Sequence, residues 1–161
     1  MDPQVLSSLA KWPNVPAVYG WLALDRRGNW LLREGAAGSY GRIGNVAMRG
    51  CISRNYAADE RGCWYFQNGP QRVYVKLAYT PFVVHFEGDT LVDHCGWPVD
   101  VLEKYVDEEG SMLVHGRRGA GLLDDRDLAR CADGAERLPR LAKSEVEARF
   151  RFVADPAISL R

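Results

Sequence analysis

Net charge is the first thing this sequence lacks, because its 21 lysines and arginines are matched by 21 aspartates and glutamates. That balance removes the basic footprint by which nucleic-acid binders and membrane-surface proteins hold polyanions, so neither nucleic acid nor a membrane is expected as a partner. Long apolar runs are missing too. The longest strand-like stretch, Val73 to Phe86, is interrupted by Lys76, Thr80, Pro81 and His85, and a membrane helix needs roughly 18 uninterrupted apolar residues. The opening MDPQVLSSLAKWPNVPAV has neither a basic n-region nor an apolar h-region, so no secretory signal is expected and the expected location is cytoplasmic. Cysteine is sparse: Cys51, Cys63, Cys95 and Cys131 contain no C-x-x-C pair. Neither a disulfide framework nor a zinc site is suggested, and reduced thiols without metal or cofactor are the expectation.

What is present suits an ordinary folded domain. With 161 residues, 47% of them hydrophobic, such a chain can bury roughly 70% of its extended surface and needs no staple. The organising pattern is a repeated turn, D-x-x-G, at Asp25 to Gly28, Asp59 to Gly62 and Asp107 to Gly110. Aspartate at the first position of a type I turn accepts from the backbone ahead of it, and glycine at the fourth takes the left-handed conformation of a bulged hairpin. Apolar stretches flank Asp25 and Asp107, which predicts hairpin tips, whereas the segment before Asp59 reads as a helix. That helix, Val46 to Tyr56, starts at the N-cap Asn45 and carries Gly50 at its centre. Strands follow at 63–67 and 71–79, joined by an Asn68-Gly69-Pro70 turn, with Val73, Val75 and Leu77 alternating against Arg72, Tyr74 and Lys76. A short helix over 126–132 follows the acidic run Asp124 to Asp127. The expected fold is therefore α+β and β-rich. It is an antiparallel meander or partial barrel built from D-x-x-G hairpins with one or two short helices, in a single domain over residues 1–134, followed over 135–161 by a peripheral helix and tail.

No catalytic constellation emerges from the residues. His94-Cys95, with His85 and His115, contains the atoms of a thiolate nucleophile and its base, but no close ligand or dyad spacing, and buried or incidental side chains account for them. Gly35, Gly38, Gly41 and Gly44, with Arg42 among them, match neither phosphate-loop pattern. They leave open an alternative, an enzyme acting on an anionic small molecule bound at the loop 35–44. The preferred candidate is the hairpin face carrying Trp64, Gln67, Asn68, Arg72 and Tyr74, where aromatic rings and an arginine supply contact area and charge for a protein segment or a small anionic ligand. On this reading the chain is a non-enzymatic binding or accessory module. Oligomeric state is left open.

The same stretch carries a likeness. Arg54-Asn55-Tyr56, Asp59 to Gly62, the run W-Y-F-Q-N-G-P-Q-R-V-Y-V from Trp64 to Val75, and Thr80-Pro81 resemble an uncharacterised family of proteobacterial proteins, a domain of unknown function. The resemblance spans about Val18 to Leu128. It implies a bacterial cytoplasmic protein and brings no catalytic residues with it.

Overall fold

The computed structural model describes residues 1–35 and 38–158. These divide into two compact units, one formed by residues 1–25, 29–78 and the segment from Phe152 onward, the other by residues 26–28 and 79–151. The second unit thus runs through residue 134 to Arg151. In the first unit the elements are α1 (Pro3–Lys11), β1 (Val18–Leu24), β2 (Trp30–Glu34), β3 (Ser39–Arg42), α2 (Val46–Arg54), β4 (Tyr56–Ala58), β5 (Trp64–Asn68) and β6 (Gln71–Leu77). The second contains β7 (Phe82–Glu87), β8 (Thr90–Asp93), β9 (Val101–Val106), β10 (Met112–Gly116), β11 (Gly119–Leu123), a 3-10 segment at Asp125–Cys131 and α3 (Lys143–Phe150).

The β-rich α+β class is what the chain adopts, in two open mixed sheets ordered β3-β2-β1-β6-β5-β4 and β8-β7-β11-β10-β9. Neither sheet is an uninterrupted antiparallel meander. Each unit lays its first strand parallel to its last, β1 against β6 and β7 against β11, with hairpins extending outward on both sides. Turn residues report only local reversals, whereas a parallel pair is made by a long crossover. The two sheets are consequently wired alike.

Every D-x-x-G tetrad builds one loop. The Oδ1 of Asp59 accepts from the N–H of Arg61 and of Cys63, both at 2.9 Å, while the Asp59 N–H donates to the Cys63 carbonyl. Asp107 repeats this with Glu109 and Ser111. The Asp59 tetrad joins β4 to β5, so it too is a hairpin, where a helix had been expected to lead straight into it. A fourth copy is Asp93-His94-Cys95-Gly96, whose Oδ1 accepts from Cys95 at 2.9 Å and Trp97 at 3.1 Å. The glycines close all four loops at φ between +78° and +87°, which a residue with a Cβ adopts at a cost of about 1–2 kcal/mol.

Helix α2 begins as the sequence implies, with Asn45 accepting from the Met48 N–H at 2.9 Å. Its Ile52 is fully buried beside the sheet, worth roughly 1.5–3 kcal/mol on transfer grounds. Asn55 ends the helix, itself fully buried, exchanging hydrogen bonds with Asp2 at 2.7 and 3.0 Å. Those bonds tether α1, which starts at the Asp2-Pro3 junction. In the second unit α3 is anchored by Val146, which has no exposed surface. Phe152 onward returns to the first unit, where the Leu77 N–H donates to the Ala154 carbonyl at 2.8 Å. Among the described residues no helix is long and apolar enough to cross a membrane.

Candidate functional site

The pairing of β5 with β6 decides which side chains share a face. Asn68 lies opposite Gln71, so the turn is the two residues Gly69-Pro70, and Tyr65 faces Tyr74 while Gln67 faces Arg72. A three-residue turn over 68–70 would have paired Trp64 with Tyr74. One residue of register moves every side chain to the other face. Trp64 therefore packs on the opposite side, 4.7 Å from the Tyr56 ring. Gln67 does share the face of Arg72 and Tyr74 but is fully buried, its Nε2 donating to the Gly69 carbonyl at 2.9 Å. Asn68 is exposed at the turn. Of the five residues named from the sequence, Arg72 and Tyr74 are brought together on an accessible concavity.

Four residues invisible as partners in the sequence, Tyr19, Tyr65, Asp59 and Arg61, surround Tyr74 and Arg72. Tyr19, delivered by the parallel β1–β6 pairing, stacks on Tyr74 with ring centroids 4.5 Å apart and planes within 7°. Tyr65 meets Tyr74 edge-on at 5.8 Å and carries the Arg72 guanidinium 4.4 Å above its ring. From the turn, Asp59 Oδ2 accepts the Tyr74 hydroxyl at 2.9 Å and Arg61 Nη2 at 3.1 Å. Asp59, Arg61, Tyr65, Arg72 and Tyr74 line an open cavity of about 570 Å³. Asp59 and Arg61 were legible as turn residues only. Tyr19 had no local signal.

The electrostatics of this face hold Asp59 and Tyr74 each in one ionisation state. Burial opposes ionisation of Asp59, but the Cys63 N–H, the Tyr74 hydroxyl and Arg61 outweigh it and hold its carboxyl below the usual range. Burial and the Asp59 hydrogen bond together push the Tyr74 phenol up. Both groups move away from neutrality, the opposite of what a general acid or base requires. The Tyr19 and Asp59 contacts raise Arg61, so it stays charged. Arg61 is neutralised by Asp59; Arg72 has no carboxylate within 4.0 Å among the described residues.

The chain matches, over residues 1–157, the family model described as "Protein of unknown function (DUF2946)". The chain belongs to this family. Two solved structures are similar to it. A DUF1285 family protein from Silicibacter pomeroyi DSS-3 shares 20% identity over 83% of this chain and 84% of its own, with a TM-score of 0.53. A DUF1285 family protein from Shewanella baltica OS155 shares 13% over 70% of this chain and 90% of its own, at 0.50. At these identities the likeness is one of fold. No curated protein matches the chain.

The other candidates named from the sequence lie elsewhere in the fold. The loop 35–44 includes residues 36 and 37, which lie outside the described residues; the remainder belongs to the β2–β3 hairpin and its exit. Gly35 and Gly38 flank the tip, Gly41 sits opposite Leu32, Arg42 opposite Leu31, and Gly44 precedes the Asn45 cap. Of these four glycines only Gly41 lies within a strand, while Gly35 and Gly38 belong to the turn and Gly44 follows the end of β3. His94 does approach Cys95, with Nε2 3.6 Å from Sγ. However, the Val83 N–H donates to His94 Nδ1 at 3.3 Å. The neutral ring then carries its proton on Nε2, which faces the sulfur as a donor and has no lone pair to take the thiol proton.

Proposed function

We propose that this family member is a non-enzymatic binding module whose face of Tyr19, Tyr65, Tyr74 and Arg72 holds an anionic group on a small ligand or a protein segment. The observation that carries this reading is Arg72, laid over the Tyr65 ring at 4.4 Å and left without a carboxylate partner among the described residues at the edge of a cavity of about 570 Å³. An arginine spread on an aromatic face is pre-organised, so little side-chain entropy is lost when an anion docks. Tyr65 and Tyr74 line the cavity beside that arginine and supply aromatic surface for a ring next to the anion, with Tyr19 stacked behind Tyr74. The cytoplasmic and proteobacterial setting, and the W-Y-F-Q-N-G-P-Q-R-V-Y-V run as the family's specific core, form part of the same proposal.

Phenyl phosphate, which joins a ring to an anion, tests it. Titrated into the labelled full chain, it should shift the amides of Arg61, Tyr65, Arg72 and Tyr74. Arg72→Ala should weaken binding by about tenfold or more, the loss expected for one charge-assisted contact. Equal affinity in the parent and in Arg72→Ala sinks the proposal, as do shifts confined to other residues.

A further inference from the structure

The second unit holds a separate cavity that no part of the above reading uses. On one face of its sheet, β7 presents Phe82 and Val84 and β10 presents Val114, but β11 presents Gly121 and β10 ends in Gly116. Glycine leaves no side chain to fill the layer, and the space is kept small. A Cβ on Gly121 would stand 2.9 Å from Val84 Cγ1, and one on Gly116 would stand 3.1 Å from Val99 Cγ1. The result is a cavity of about 190 Å³, walled by Phe82, Val84, Val114, Pro98 and Val99. A dry apolar cavity of about 150 Å³ admits benzene, so this one matches a six-membered ring or a branched alkyl group of similar size.

Its polar lining consists of two acid–base pairs that differ in what they leave free. Arg117 and Asp100, both largely exposed, meet at 3.5 Å. Asp93 is buried, its side chain 3% exposed, with Oδ1 accepting from Cys95 and Trp97 and Oδ2 from Arg118 Nη1 at 2.6 Å. A cationic ligand would have to displace Arg118 to reach that carboxylate. Arg118 itself is less occupied: its Nε and Nη2 donors have no partner among the described residues, and its side chain is 42% exposed. The guanidinium is held 5.0 Å from the Phe82 ring and 5.7 Å from the Trp97 ring. The Nε and Nη2 edge of a fixed guanidinium is a fork that fits one carboxylate through two parallel hydrogen bonds.

We propose that the second unit binds a small monocarboxylate, its ring or branched hydrocarbon in the valine-walled cavity and its carboxylate on the free edge of Arg118. The buried Asp93 serves as a positioning residue that fixes the guanidinium. This inference is independent of the Tyr–Arg face of the first unit.

Benzoate is the probe, titrated into the full-length labelled protein, with benzamide, benzylamine and toluene as controls. A ligand of this size is expected to bind with a Kd of about 1 mM. Benzoate should shift the amides of Gly116, Arg118 and Gly121 and bind at least about tenfold more tightly than any control, the ratio of a charge-assisted pair. Arg118→Ala should abolish that preference while leaving toluene binding unchanged. Because Arg118→Ala strands Asp93 in the interior, Val99→Phe is the second variant; it keeps the ion pair and fills the cavity, and all four probes should then fail to bind. The proposal is overturned if benzoate causes no shifts at those amides. It is equally overturned if benzamide or benzylamine binds as well as benzoate, or if Val99→Phe binds benzoate like the parent.

Discussion

Replacing Tyr79 with phenylalanine removes one oxygen from the second unit and tests whether the D-x-x-G loops are held by their aspartates. Tyr79 is 7% exposed, and its hydroxyl donates at 2.9 Å to Oδ2 of Asp107, a residue with no exposed surface. Oδ1 of the same carboxylate is occupied by the N–H groups of Glu109 and Ser111, so the tyrosine is the donor on the other oxygen. The ring's own contacts survive the change, with Arg26 at 5.0 Å and Lys143 at 5.4 Å from its centroid. What is lost is a buried hydrogen bond to an ionised acceptor, about 1.5–3 kcal/mol. For a chain of this length that corresponds to a fall in Tm of roughly 4–10 °C. The pH dependence sharpens the test. Burial and the Asp107 bond push the Tyr79 phenol above its ordinary value. The stability it contributes is therefore complete below the unfolded tyrosine value of about 10 and is lost as pH rises through the folded value. Urea melts at neutral pH and at about pH 11 should show the parent approaching Tyr79→Phe at the alkaline end. A penalty under about 0.5 kcal/mol at neutral pH, the level of a neutral surface change, would refute the reasoning.

Two further outcomes follow from the same loops. At Gly110 a Cβ meets open space at φ +82°, so Gly110→Ala should cost only the left-handed penalty, about 1–2 kcal/mol. At Gly28 the same atom would lie 2.7 Å from His94 Cβ, and Gly28→Ala should cost clearly more by chemical denaturation; equal costs would contradict the packing described. Asp59→Asn keeps an acceptor for the Arg61 and Cys63 N–H groups but removes the charge, which should cost about 1 kcal/mol at pH 7. The Asp59 carboxyl lies below its ordinary value in the folded chain, so its contribution is present above an unfolded value of about 3.9 and disappears as pH falls through the folded one. The variant's acid melting limb should be shallower than the parent's, and identical limbs would remove Asp59 from the account.

Much of the local structure was legible, for physical reasons visible residue by residue. The Asn45 cap, the hairpins at Asp25 and Asp107, and a helical turn after Asp124 all arise from side chains bonding to backbone within a few positions. The fourth tetrad, Asp93 to Gly96, obeys the same rule, its aspartate bonding to backbone two and four positions ahead. Helix α1 had its signal too, in proline directly after Asp2. The short strand β4 did not, since Tyr56 to Ala58 continues a pattern that a helix would also satisfy. The candidate face was half legible. Arg72 and Tyr74 followed from the period of two along β6, while Trp64 was placed on the wrong side because a turn of two residues replaced one of three.

By itself, then, the sequence determined the turns, the caps and the β-rich class, because a hydrogen bond between residues two to four apart needs no distant contact to define it. Only the tertiary structure decided that β1 lies beside β6 and β7 beside β11, that Tyr19 covers Tyr74, and that glycines on neighbouring strands open a cavity under Arg118. Those arrangements depend on strand register and on pairing between residues 39 to 55 positions apart, quantities set by the packing of whole sheet faces and carried by no single motif.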